Sequence, residues 1–361
     1  MDETDDTLRM TPGPTALPPE VRAALGSEPV NPDVEAQFTE DYRRLLEKLA
    51  RVYGTDDDLV VLGGEGMLGL EASVASLVDD GEAILCLANG IYGAGFADLV
   101  ELHGGDPVVH SVPDGEPFDV EAVASVVEER DVVAATMVHC ETPTGLLNDL
   151  DAVLEHLHDA GVLTIVDAVS SLGGTPVPVE HIDVCLGASQ KCFSSPPGLS
   201  TLSVSDHAWT KVEATPQDSF YASLEPWQDL DLDDAPTLLP YTPLVSNLNA
   251  LEASLDRLLD EGLDAVHERH ESVAQRCRER GRDLGLALYP PADRSSPTVT
   301  AFHVEGRATD LQQRLADEHG VVLATSLGDL AGDVLRVGHM GYNATVENVD
   351  RTMDALEAVL D

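Results

Sequence analysis

Short apolar runs alternate with helical patterns through the first two-thirds of the chain. Leu59–Leu62, Ala83–Leu87, Pro107–His110, Val132–Val138, Val162–Val166, Val184–Leu186 and Leu199–Val204 are predicted strands. Predicted helices lie among them: Val21–Leu25, opened by Leu17-Pro18-Pro19, an amphipathic stretch over 35–53, a segment running to Leu77, and others near 93–103, 119–129 and 149–159. Phe38, Leu45, Leu46, Leu49 and Val52 form the apolar side of the 35–53 helix. Such runs between helices imply an α/β fold with a mostly parallel sheet covered on both faces. Functional loops are then expected at the carboxyl ends of its strands. From about residue 246 the grammar changes. A long helical region (246–285) precedes Thr298–Phe302, a helix near 309–318, Val321–Leu323, Leu335–Val337 and a last helix near 346–360. The expected division is a large domain over 1–245, with an extended 1–20 segment, and a smaller α+β C-terminal domain over 246–361.

Composition narrows the partners. Sixty-six acidic against 20 basic residues give a formal charge of −46, which repels nucleic acid and anionic membrane surfaces. No apolar stretch reaches the roughly 18 residues of a membrane span, and the acidic start does not read as a signal peptide. The five cysteines, Cys86, Cys140, Cys185, Cys192 and Cys277, match neither a zinc site nor a disulfide framework. Free thiols in a reducing cytoplasm are expected. The acid is spread along the chain, as on a surface adapted to a high-salt cytoplasm, where salt screens self-repulsion; an ordinary acidic cytoplasmic enzyme is the plainer alternative. On the first view, dilution into low salt lowers the thermal unfolding midpoint. A midpoint that does not depend on salt would remove that view.

The chain has only three lysines, and Lys191 sits in Gly187-Ala188-Ser189-Gln190-Lys191-Cys192. Upstream, the run ending at Val166 delivers Asp167 and then Ala168-Val169-Ser170-Ser171-Leu172-Gly173-Gly174. A lysine on a polar turn can form a Schiff base with an aldehyde, while an aspartate at a strand end keeps a pyridine nitrogen protonated. Arg336, in Leu335-Arg336-Val337-Gly338-His339-Met340-Gly341, offers a planar fork for a carboxylate. Tyr92, in Asn89-Gly90-Ile91-Tyr92-Gly93, could stack on a flat ring. A capping aspartate, a structural ion pair and a core aromatic are the plainer roles open to Asp167, Arg336 and Tyr92.

Together these segments resemble the class V, fold-type I aminotransferases of the alanine–glyoxylate and serine–pyruvate branch. The matching pieces are Thr11-Pro12-Gly13-Pro14-Thr15, Gly64-Glu65-Gly66 with Leu70-Glu71-Ala72, Asn89–Gly93, Thr142-Pro143-Thr144-Gly145, Asp167–Gly174, Ser189-Gln190-Lys191 with Pro196-Pro197-Gly198, Tyr241-Thr242-Pro243 and Arg336–Gly341. The resemblance implies a homodimer with active sites at the subunit interface. It gives Lys191 as the Schiff-base lysine and Asp167 as the partner of the ring nitrogen. Tyr92 is the stacking aromatic, Thr142 lies near the phenolic oxygen, Arg336 binds carboxylate, and Thr242 reaches in from the neighbouring subunit.

The departures carry as much as the matches. Relatives that keep pyridoxal phosphate have a small hydroxyl residue, Gly and often His where this chain has Glu65-Gly66-Met67, and commonly a tyrosine where it has Leu239. Glu65 would repel a phosphate dianion but could accept a hydrogen bond from a neutral 5′-hydroxymethyl group; a solvated loop acid is its plainer role. This pattern is similar to the pyridoxamine–pyruvate transaminases, for which pyridoxamine and pyridoxal are substrate and product. Against it, Ser189 and Gln190 keep the polar pair usual in phosphate-binding members. Ser326-Leu327-Gly328 also lacks the additional arginine that such enzymes carry before the Arg336 position. The resemblance therefore implies transfer of the amino group of pyridoxamine to pyruvate, giving pyridoxal and L-alanine in the breakdown of free vitamin B6. The alternative is an alanine- or serine–glyoxylate (or –pyruvate) aminotransferase with pyridoxal 5′-phosphate as bound cofactor.

Overall fold

A computed structural model describes residues 7–233 and 235–360. The first six residues of the expected N-terminal segment, Asp234 and Asp361 lie outside the described residues. Seven strands form the main sheet in the order Asp58–Gly63, Leu199–Val204, Val184–Ala188, Leu163–Asp167, Val132–Val138, Ala83–Ala88 and Asp106–Ser111. All pairings are parallel except the two made by Leu199–Val204, which runs against both neighbours. Six strands therefore end on the same edge. Leu163–Asp167 and Val184–Ala188 are buried throughout, which is why they read as mostly apolar runs rather than alternating ones.

The helices are α1 (Pro19–Leu25), α2 (Ala36–Tyr53), α3 (Gly66–Leu77), α4 (Ile91–Leu102), α5 (Val120–Glu129), α6 (Asp151–Asp159), α7 (Asp206–Ala214), α8 (Val245–Glu261), α9 (Leu263–Asp283), α10 (Ala308–His319) and α11 (Val346–Leu360). In α2 the buried stripe is Phe38, Tyr42, Leu45, Leu49 and Val52 with Tyr53, whereas Leu46 is only partly buried. Burying each leucine contributes about 1.5–3 kcal/mol. The helical region expected over 246–285 is two helices. Gly262, at φ 86°, separates them, a left-handed backbone that a residue with a Cβ adopts only at a cost.

The smaller core gathers Met10, Val273, Phe302, Leu311, Leu335, Val337, Met353 and Leu356 around a four-stranded antiparallel sheet. Its order is Ala287–Leu288, Val299–His303, Val334–Gly338, Ala324–Thr325. The cores do not part at residue 245. Helix α8 packs Leu248, Leu251, Leu255 and Leu258 on the larger core, and the N-terminal strand Leu8–Arg9 pairs with Val321–Val322 of the smaller unit. Among the described residues no helix is long and apolar enough to cross a membrane.

Candidate active site

The common edge of the six strands collects the chemistry. Glu65 follows Gly63, Tyr92 follows Ala88, Thr142 follows Val138, Asp167 ends its own strand and Lys191 follows Ala188. These five line one cavity of about 140 Å³ together with Gly13, Pro14, Gly66, Met67, Leu70, Val169, Ser170 and Gln190.

Asp167 is both a cap and a cavity residue. Its Oδ1 accepts the Val169 N–H at 2.8 Å, and burial pushes its carboxyl up to about 6, with the Lys191 charge pulling the other way. Such a carboxylate lacks water and gains most from a cation placed beside it. Burial, then the Arg336 charge, lowers the Lys191 amine below its ordinary value, and Asp167 opposes them. The amine donates to the Pro12 carbonyl at 2.8 Å. Gly13 has φ +91° and a Cβ there would lie 2.6 Å from Lys191 Cδ, so the lysine runs along bare backbone.

Glu65 likewise does two things. It is the N-cap of α3, its Oε1 accepting the Met67 N–H at 3.1 Å, and it borders the cavity. A helix start is an anion site because its amides point outward; here the chain's own carboxylate sits at that start. Thr142 Oγ1 is hydrogen-bonded to Ser170 Oγ. Among the described residues Gln190 Oε1 is buried without a hydrogen-bond partner, and Gln190 lines the cavity, so a polar acceptor borders the space.

Three predicted residues lie elsewhere. Ser189 is outside the cavity, its hydroxyl donating to Pro196 O (2.6 Å) and accepting from Leu199 N (3.2 Å). Thr242 is exposed on its own chain ahead of α8. Arg336 is buried and is not among the cavity residues; Nε and Nη2 donate to Thr325 O at 2.9 and 2.7 Å, and Nη1 donates to Thr142 O at 3.4 Å. Among the described residues no carboxylate pairs with it. Burial brings it down to about 10, because a guanidinium out of water is held less firmly in its charged form.

Sequence reasoning missed Glu141 and Tyr241. Glu141 is fully buried, and its oxygens accept the Tyr92 and Gly93 N–H groups at 3.1 and 3.2 Å. It thereby caps α4 and fixes where the Tyr92 ring begins. Burial pushes its carboxyl up to about 7. The Tyr241 hydroxyl accepts the Gly63 N–H at 3.3 Å, placing an aromatic beside the start of α3 although Leu239 carries none. Tyr241 was visible within its quoted motif; nothing in the sequence pairs Glu141 with a helix start 49 residues earlier.

The residues present fit a pyridoxal vitamer: a dry carboxylate, a lowered amine, a half-buried tyrosine and a buried glutamine converge on one cavity. The sequence profile of the class-V aminotransferase family matches residues 12–352. The chain is a class-V aminotransferase. It is 33% identical over 351 residues to a pyridoxamine–pyruvate transaminase of Mesorhizobium japonicum, covering 95% of this chain and 88% of that one. It is 34% identical over 367 residues to an alanine–glyoxylate aminotransferase of Oryctolagus cuniculus, covering 99% and 93%. The crystal structure of an alanine–glyoxylate aminotransferase from Nostoc sp. superposes with a TM-score of 0.94 at 29% identity, covering 98% of this chain and 95% of that one. This class-V aminotransferase is thus related to both kinds of enzyme.

Proposed function

We propose that this aminotransferase moves the amino group of pyridoxamine to pyruvate, giving pyridoxal and L-alanine. The observation that carries this reading is Glu65. Its carboxylate occupies the N-terminus of α3 and uses the Met67 N–H, so a phosphate there would lose a donor and gain a like charge. A neutral 5′-hydroxyl can instead donate to the acid. In this reading Asp167 holds the proton on the ring nitrogen, Tyr92 covers a ring face, Thr142 meets the phenolic oxygen, and Arg336 takes the carboxylate of pyruvate. When bound, the vitamer supplies an electron sink. Lys191, with its basicity lowered by burial, accepts and returns the proton that moves between substrate carbons.

A second reading has its own support. Relatives named alanine–glyoxylate aminotransferase match at equal identity and with a TM-score of 0.94. Gln190 also keeps a polar side chain on the cavity. On the comparisons alone, an enzyme with bound pyridoxal 5′-phosphate acting on alanine and glyoxylate stands ahead; Glu65 is what tips the balance. We also read the protein as a homodimer. Leu244 and the Tyr241 ring pack near Gly63, Tyr221 stacks on Tyr241 at 4.7 Å, and Met67, Leu244, Tyr221 and Phe220 are 45–60% exposed. A second copy covering this face removes it from water and brings Thr242 to the partner's site.

The test adds pyridoxal and pyridoxal 5′-phosphate separately to vitamer-free protein in molar salt, then pyruvate with pyridoxamine. Pyridoxal should bind at least as tightly as its phosphate, and pyridoxamine should be consumed one for one with alanine formed. Tightly held phosphate vitamer that turns over catalytically, with pyridoxamine left untouched, would overturn the reading.

A further inference from the structure

Residues 8–15 join two parts of the molecule that a substrate would bridge. At one end they belong to the smaller unit. Leu8–Arg9 pairs with Val321–Val322, Met10 is fully buried in its core, and Gly338 N donates to Met10 O at 2.7 Å. Asn343 Nδ2 adds a bond to Arg9 O at 2.6 Å. At the other end they hold the lysine loop. Pro12 O accepts from Lys191 Nζ, Thr15 N donates to Gln190 O at 3.0 Å, and Thr15 Oγ1 contacts Lys191 O and Ser194 Oγ at 3.2 and 3.3 Å. Ser194, held at φ 56°, also accepts the Tyr342 N–H at 2.8 Å.

Only Thr11 stands between Met10 and Pro12. With about 3.8 Å between successive Cα atoms and planar peptides, only the φ and ψ of a few residues can absorb a displacement over that length. Gly338 lies two residues beyond Arg336 on the same strand, so a displacement of that strand reaches Met10 and then the Pro12 carbonyl. We propose that residues 8–15 act as a strap that sets the position of the Lys191 amine according to where the smaller unit sits, with Thr15 and Asn343 as positioning residues at its two ends. The inference rests on the reading of Lys191 as the reacting amine. Besides Pro12, the titratable groups whose charge acts on that amine are Arg336, Asp167, Cys140 and Cys192; none of them is on the strap.

Because Lys48, Lys191 and Lys211 are the only lysines, labelling them with 13C at Cε gives three signals that titrate separately by NMR, the Lys191 signal being the one lost in Lys191→Ala. An acceptor at the amine favours its charged form, so loosening the strap lowers its midpoint. Asn343→Ala should lower the Lys191 midpoint by about half a pH unit and leave Lys48 and Lys211 in place. Thr15→Val should do the same, and Thr15→Ser should restore the wild-type value. If both Asn343→Ala and Thr15→Val fold and the Lys191 midpoint stays at its wild-type value, the strap is refuted. Full turnover of pyridoxamine and pyruvate by Lys191→Ala would instead refute the role of the lysine.

Discussion

Replacing Asp167 by Asn is expected to leave the enzyme nearly inert and the vitamer-free protein more stable. The aspartate is 6% exposed, and burial holds its carboxyl at about 6 against an ordinary 3.8. A group elevated in the folded state gives full stability below its unfolded value and loses it as pH climbs through the folded one. Each pH unit of elevation is worth about 1.4 kcal/mol, so ionised Asp167 costs the empty protein about 3 kcal/mol above pH 6. Asn keeps an oxygen for the Val169 N–H and carries no such cost. Unfolding measured at pH 8 should therefore favour Asp167→Asn, and the advantage should vanish near pH 4, where wild-type Asp167 is already neutral. On the proposed reading, in which Asp167 meets the ring nitrogen, the balance reverses with a vitamer bound, because an amide cannot hold that nitrogen protonated. Breaking a buried charge pair costs about 3–5 kcal/mol, which corresponds to a turnover loss on the order of 1000-fold. Unchanged stability at pH 8 together with retained turnover would place the carboxylate outside the chemistry.

That carboxylate illustrates what the chain discloses of itself. Strands buried on both faces are mostly apolar, so Val162–Val166 announces a central strand, and a charged residue ending it announces the functional edge. Lys191 is conspicuous because the chain otherwise avoids lysine. The fold-level features that escape reading are those with no period to detect. Two-residue strands such as Leu8–Arg9 and Ala324–Thr325 are set by long-range pairing, and the break at Gly262 is one glycine inside an otherwise helical pattern. At the site, residue type does not tell how a hydroxyl is used. Ser189 and Ser170 look equivalent in sequence, yet Ser189 closes its own loop while Ser170 lines the cavity beside Thr142. Glu141 reads as one acid among 66. Only the fold shows that it is dry and holds the start of α4.

Glu65→Ser should shift the preference between vitamers by on the order of 100-fold toward pyridoxal 5′-phosphate. Serine is itself a good N-cap, so α3 should survive the change, and the comparison then reads electrostatics rather than folding. Wild-type Glu65 places a negative charge and an occupied amide where a phosphate would sit; serine removes the charge and adds a donor. The same substitution should weaken pyridoxal, whose 5′-hydroxyl loses the acid as acceptor, so the two affinities should move in opposite directions. Glu65→Gln separates the contributions, because it deletes the charge while keeping an oxygen for the Met67 N–H. Its ratio of phosphate-vitamer to pyridoxal affinity should fall between wild type and Glu65→Ser. Affinities measured by titrating vitamer-free protein in molar salt decide the matter. If the ratio is the same in all three proteins, the acid at the start of α3 does not discriminate between vitamers. Selection for pyridoxamine then loses its physical basis, and the alanine–glyoxylate reading with a bound phosphate cofactor takes its place.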